Sequence, residues 1–250
     1  MYDNTCRFLA ENFPADFASW LLGEPTSLTE LKPSELLLEP IRADALILLQ
    51  SDALILHLEF QTRPKPNIPF RMLDYRVRCY RRYPDKTMRQ VVLYLKFTES
   101  ELVGQTHFNL ERTHHKFDVI RLWEQPPEIF LPYPGLLPFA TLAQTADSRG
   151  TLQQVAEQLE QIPDPVSQAN LSAASAILAG LKLEEEVIHR ILRKEIMQES
   201  TVYRSIQAEA TTKRNEEIAI NALRRGLSVE LTADLTGLSI EAVQQLQGRS

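Results

Sequence analysis

Asp44, Glu59 and Gln61 stand within two runs that are otherwise mostly apolar, Ile41–Leu49 and Ala53–Gln61. The runs bracket Gln50-Ser51-Asp52, a pattern that predicts two β-strands around a short turn. A loop symmetric about Ser51 and Asp52 sets residue i opposite residue 103 − i, so Asp44 faces Glu59, Leu46 faces His57 and Arg42 faces Gln61. Side chains alternate along a strand, which puts Asp44, Glu59 and Gln61 on one face of the hairpin. Two facing carboxylates repel, and apolar surroundings raise the cost of their charge. A shared proton relieves the conflict, and so does a cation between them. A hard divalent ion, Mg²⁺ or Mn²⁺, suits paired carboxylate oxygens, the Phe60 carbonyl and water. The competing reading makes Asp44 a strand-edge carboxylate paired with Arg42 or His57, and Glu59 a surface strand end. The apolar surroundings and the shared face weigh against it.

Several elements must position this hairpin. Residues 3–22 predict a helix, with Phe8, Leu9, Phe13, Phe17, Trp20 and Leu21 near helical spacing and Pro14 as an interruption or second start. Residues 26–40, with Leu36-Leu37-Leu38, suit an edge strand leading into the hairpin. Arg63-Pro64-Lys65-Pro66-Asn67-Ile68-Pro69 cannot continue a ladder, because its prolines lack donors. It predicts a loop at the mouth of the site. Residues 70–83 predict a helix that buries Phe70, Leu73, Val77 and Tyr80. Its other face carries Arg71, Tyr75, Arg78 and Arg82. From Arg71 to Arg89 there are seven Lys/Arg and two Asp, a local +5 in a chain of net charge −6. Such a face suits phosphate contact, with Tyr75 and Tyr83 able to stack on bases, while a merely solvated charged face is the alternative. Gln90–Phe97 predicts a buried strand, reached from the hairpin by a parallel crossover. His107–Leu110 and Lys116–Trp123 predict further strands. His107, His114 and His115 lack the spacing of a zinc site.

These residues carry a resemblance. Asp44, then Glu59-Phe60-Gln61-Thr62, Pro64, Pro66 and Pro69-Phe70-Arg71-Met72-Leu73-Asp74-Tyr75, resemble the active-site hairpin and following helix of the PD-(D/E)XK nuclease superfamily. With Gln61 where a lysine is usual, the pattern is similar to the Rpn branch (recombination-promoting nuclease, transposase-like). The resemblance covers residues 1–140 and, more loosely, the tail. It implies an α/β, restriction-endonuclease-like core with a mixed central sheet flanked by helices, followed by an all-helical C-terminal region. It further implies a metal-dependent DNA endonuclease linked to recombination or mobile elements. Asp44, Glu59 and Gln61 would then be the catalytic residues. Asp44 and Glu59, joined by Glu11 of the first helix, would ligate Mg²⁺ or Mn²⁺. Arg71, Tyr75, Arg76, Arg78 and Arg82 would contact DNA. Gln61 is neutral, so transition-state charge would fall to the metal or to Arg71 or Arg76. A double-strand cut needs two sites, which implies a homodimer. The alternative from another class is a degenerate hairpin in a binding or assembly module that acts through its tail.

The rest of the chain bounds these readings. Its 250 residues and 44 % hydrophobic content suit one large domain or two small ones. Pro126-Pro127, Pro132, Pro134, Gly135 and Pro138 mark residues 124–140 as a connector. The division expected is therefore a nuclease-like domain over 1–140 and a helical region over 141–250. Within the latter, 226–247 resembles a helix-turn-helix, with Ser228 and Ser239 as N-caps and Gly237 as a C-cap. That segment holds Glu230, Asp234 and Glu241 but no Lys or Arg, so packing or self-association is favoured over tight DNA binding. Cys6 and Cys79 suggest neither a disulfide framework nor a zinc site. The N-terminus lacks a basic and apolar leader pattern, and no apolar run reaches membrane-span length. A cytoplasmic protein that does not engage a membrane is expected.

Overall fold

A computed structural model describes residues 2–31, 46–192 and 200–247 of the chain. Asp44 and Arg42, with the Leu36-Leu37-Leu38 run, lie outside the described residues. The chain forms two compact units, Tyr2–Ser200 and Thr201–Ser250. Among the described residues, no helix is long and apolar enough to cross a membrane.

The first unit is α/β. Helix α1 (Tyr2–Asn12) breaks before Pro14, which opens α2 (Pro14–Leu22) at a position where a missing N–H costs nothing. Gly23 ends α2 at φ 84°, donating to the Ser19 carbonyl. The strands are β1 (Thr29–Glu30), β2 (Leu46–Gln50), β3 (Leu54–Gln61), β4 (Thr87–Tyr94), β5 (His107–Leu110), β6 (Thr113–Lys116) and β7 (Asp118–Arg121). They form a mixed sheet in the order β1-β2-β3-β4-β7 and a separate β5-β6 ribbon. Strands β2 and β3 are the expected antiparallel hairpin. Helix α3 (Ile68–Arg82) carries the chain over to β4, which runs parallel to β3, as β7 does to β4.

The hairpin register differs from the symmetric-loop expectation. Leu46 faces Glu59 and Leu48 faces His57, so residue i stands opposite 105 − i rather than 103 − i. The reason lies in the turn. Asp52 and Ala53 form its tip, Ser51 N–H donates to the Leu54 carbonyl at 2.9 Å, and Leu54 N–H donates to Ser51 Oγ at 3.2 Å. The slide is two residues, so the parity of faces is unchanged, and His57, Glu59 and Gln61 remain on one side.

The two sheet faces are covered differently. Phe60 points to the side of α1 and α2. There it stacks on Phe139 with centroids 5.8 Å apart and meets Phe17 edge-on at 6.3 Å. Trp20 and Phe130 complete this aromatic cluster. Residues 124–140 are therefore not a connector. Phe130, Leu136 and Phe139 are fully buried, the last two on short turns and a helix, α4 (Leu137–Ala140). The prolines cap these turns while the intervening apolar residues fill the core. Helices α5 (Ser148–Glu160), α6 (Pro165–Ala179) and α7 (Glu185–Ile191) continue the same unit, with α6 packed on both α1 and α4. The boundary expected at residue 140 thus falls inside a compact unit.

On the opposite face lies α3, and its burial inverts the expected stripe. Ile68, Met72, Tyr75 and Cys79 point inward, whereas Phe70, Val77 and Tyr80 are exposed. Both rows recur at helical spacing. Tyr75 and Cys79 pack with Leu31, Leu48 and Ile55, and Met72 with Val92 and Tyr94.

The second unit is helical: α8 (Thr201–Arg224), α9 (Val229–Thr236) and α10 (Ile240–Gln247). Its caps are as expected. Ser228 Oγ accepts from Leu231 N–H, Ser239 Oγ from Ala242 N–H, and Gly237 ends α9 at φ 68°.

The aromatic cluster locks the sheet to the helices behind it. Phe139→Ala removes the ring stacked on Phe60, and a loss of about 3–5 kcal/mol is expected, measured as a lowered urea midpoint with unchanged slope.

Candidate functional site

Three polar residues in a row on the α3-facing side of β3 form the core of the site: His57, Glu59 and Gln61, with 0 %, 0 % and 5 % of their surface exposed. Glu59 and Gln61 lie at the carboxyl end of β3, beside a parallel neighbour. Open α/β sheets bind ligands at this kind of edge. A carboxylate buried this deeply needs hydrogen bonds and a countercharge. Glu59 Oε1 has both: Gln61 Nε2 donates to it at 2.7 Å, and an Arg71 guanidinium nitrogen stands 3.0 Å away. Its other oxygen, Oε2, has no hydrogen-bond partner among the described residues. His57 Nε2 lies 3.8 Å from it.

The proton positions on His57 follow from its neighbours. Gln90 faces His57 across the β3–β4 pairing. Gln90 Nε2 donates to the Met72 carbonyl at 2.7 Å, which fixes the amide the one way round. The same nitrogen lies 2.9 Å from His57 Nδ1, which must accept. The ring proton of His57 is therefore on Nε2, directed towards Glu59. Gln90 Oε1 in turn accepts from His115 Nε2 at 2.8 Å. Burial, and then the nearby Arg76 charge, push the His115 imidazole below its ordinary value. Tyr75 packs edge-on against His57 at 5.2 Å. Burial raises the Tyr75 phenol, against the opposing effect of its hydrogen bond to Arg71. Burial and then the Glu59 charge raise that of Tyr94.

The residues expected to touch DNA take different places. Tyr75 is buried and cannot stack on a base. Arg71 is turned inward onto Glu59. Arg78 is tied to Asp74 at 2.9 Å. Arg76 lies over the Tyr80 ring at 5.8 Å, and Arg82, exposed, over that of Tyr83 at 5.9 Å. Glu11 is paired with Arg7 at 3.4 Å, and its carboxyl is raised by burial first and by Glu30 next. Its neighbours are thus Arg7 and Glu30 rather than the groups around Glu59. His114 bonds Asn109 and His115 bonds Gln90, so the two histidines do not converge. Gln90 and His57 carry the site's hydrogen bonding without having been singled out as functional. Their signal was a polar residue inside an apolar strand run, His in Ile55–Leu58 and Gln before Val91-Val92-Leu93.

Among the described residues, no group of three His, Cys, Asp or Glu could hold a metal ion. The described residues fit one ligand of a metal, the open Glu59 Oε2. His57 does not fit as a second, because its Nε2 carries the proton. Comparison with protein-family models, with curated proteins and with solved structures found no match. The fold and the buried carboxylate define an α/β protein with a polar site at a parallel-strand edge.

Two outcomes are expected from this geometry. Long-range ¹H–¹⁵N NMR of the imidazoles should show His57 as the Nε2–H tautomer, and Gln90→Leu should abolish that preference. Arg71→Met should cost about 2–3 kcal/mol in urea unfolding, less than a fully buried pair because Arg71 is 22 % exposed. Adding Glu59→Gln should restore most of that loss.

Proposed function

We propose that this protein is a metal-dependent DNA endonuclease with a restriction-endonuclease-like core. The observation that carries the reading is Glu59, a fully buried carboxylate with one oxygen unpartnered among the described residues, beside Gln61 at the end of a central strand. The mixed sheet flanked by helices, with the parallel β3–α3–β4 crossover, is in keeping with it. Asp44 and Glu59, with the Phe60 carbonyl, would hold Mg²⁺ or Mn²⁺, which polarises a scissile phosphate and lowers the pKa of a bound water. Gln61 holds Oε1 of Glu59, which leaves Oε2, on the His57 side, without a hydrogen-bond partner among the described residues. Arg71 supplies the positive charge that Gln61 lacks. His57 offers its Nε2 proton on the flank of the carboxylate. A homodimer would place two sites on one DNA. The exposed Leu231, Leu235 and Ile240 of the helical unit offer apolar surface for that association.

One observation favours a second reading. Arg71 already neutralises Glu59 at 3.0 Å, as in a site that has lost its chemistry and keeps a structural ion pair. The protein would then act as a nucleic-acid-binding or assembly module through its tail.

Plasmid cleavage separates the two. Wild type should nick or linearise DNA with Mg²⁺ or Mn²⁺ and not with chelator, and Asp44→Ala and Glu59→Ala should both be inactive while folded. Full activity in either variant, or none in folded wild type with both ions, would overturn the endonuclease reading. DNA binding without metal that disappears on deleting residues 222–250 would support the module.

A further inference from the structure

The outward row of α3 is unusual for a surface helix. At about 100° per residue, Phe70, Leu73, Val77 and Tyr80 form one stripe, with Arg76 on one side and Arg81 and Arg78 on the other. Phe70 is 54 % exposed and Tyr80 55 %. At about 1.5 Å rise per residue the two rings lie roughly 15 Å apart along the axis. Phe70 does not stand alone, because Phe108 of the β5-β6 ribbon packs beside it with centroids 5.6 Å apart. The ribbon adds the exposed residues His107, Arg112 and Lys116. Phe70 is also the immediate neighbour of Arg71, whose guanidinium touches Glu59. Arg71 turns in towards the sheet and Phe70 out, so the aromatic pair lies on the opposite side of the helix from Glu59.

Charge selects the occupant. Within Arg71–Arg89, Arg71 is held by Glu59, Arg78 by Asp74 and Arg89 by Asp118, which leaves Arg76 and Arg81 beside the stripe, joined by Arg112 and Lys116 of the ribbon. A second copy of this face would set that charge against itself, which disfavours self-association. A polyanion is favoured. The exposed rings narrow the choice further. A duplex keeps its base faces stacked and offers rings nothing to lie against, whereas a single strand offers a π-face at every base. Arg76 lies over Tyr80 and holds a cation against that ring, where phosphates flanking a stacked base can reach it.

We propose that the outer face of α3, with Phe108, binds single-stranded DNA and so directs the protein to DNA with unpaired bases. Phe70 and Phe108 form one stacking platform, Tyr80 forms a second, and Arg76 and Arg81 hold the backbone. This binding does not rest on the endonuclease reading.

The test uses full-length protein in chelator, so that binding is read without cleavage. Fluorescence anisotropy is measured with a labelled oligothymidylate and with a blunt duplex. The single strand should bind more tightly than the duplex. Phe70→Ala with Phe108→Ala should weaken it about tenfold and leave the duplex unchanged, and Phe70→Trp should retain it. Arg76→Ala with Arg81→Ala should weaken both probes and lower the salt slope by about 0.7 per arginine for the single strand. Equal or tighter duplex binding overturns the proposal, as does an equal effect of the phenylalanine variants on both probes. A change from dimer to monomer in light scattering on Phe70→Ala with Tyr80→Ala also overturns it, by assigning the face to self-association. Single-strand binding by a protein that cleaves nothing would leave the surface standing and remove only the endonuclease reading.

Discussion

The burial of one negative charge governs the first unit. Glu59 sits in the middle of a sheet, on a strand covered from both sides, where an unpaired ion costs several kcal/mol. Everything polar on that face follows from this. Arg71 must reach in from α3, and Gln61 must turn back along its own strand. Gln90 donates to His57 Nδ1, which leaves the Nε2 proton on the Glu59 side, 3.8 Å from Oε2 and too far for a hydrogen bond. Gln90 can do so only because the Met72 carbonyl fixes its amide. The sheet is thus tied to α3 twice, from Glu59 to the Arg71 guanidinium and from Gln90 to the backbone carbonyl at the next position. These two ties hold that side of α3 towards the sheet.

That orientation explains why the helix wears apolar residues on the outside. With Arg71 and Met72 both committed to the sheet side, Tyr75 and Cys79 follow them inward one and two turns on. Phe70, Val77 and Tyr80 are then carried outward. Exposing them is a cost of satisfying Glu59, unless a ligand covers them. The opposite sheet face bears no such constraint. It is filled by the rings of Phe17, Trp20, Phe60, Phe130 and Phe139, whose packing needs no polar bookkeeping. The polar side of β3 is therefore mounted on a rigid apolar backing.

Much of this was legible in the residues, and the failures have physical causes. The hairpin, the α3 crossover, β4, the break at Pro14 and the caps at Ser228, Ser239 and Gly237 all follow from period and punctuation. The α3 stripe was not decidable, because Phe70-Leu73-Val77-Tyr80 and Ile68-Met72-Tyr75-Cys79 have equally good spacing. Choosing between them required knowing that Arg71 is buried against Glu59. In residues 124–140 the proline density marks turns without saying whether they are exposed, and Phe130, Leu136 and Phe139 are the contrary signal. Gln90 carries little signal alone, because a single polar residue at the start of an apolar strand is ordinary. It becomes telling only opposite His57.

The turn register was lost for a similar reason. Gln50-Ser51-Asp52-Ala53 contains no Gly or Asn to mark the tip, so symmetry about Ser51 and Asp52 was as plausible as symmetry about Asp52 and Ala53. In the folded chain Lys86 resolves the choice. Its ammonium donates to Gln50 Oε1 and to the Ser51 carbonyl, both at 2.8 Å, and Thr87 N–H holds the Ala53 carbonyl at 2.9 Å. The tip is thereby clamped to the start of β4, the strand that carries Gln90. A slide by two residues leaves Glu59 on the α3 side, but a slip by one would turn it into the aromatic cluster and bring Phe60 against Arg71. The clamp at the turn and the polar chain at the other end of the sheet therefore enforce the same register from opposite ends.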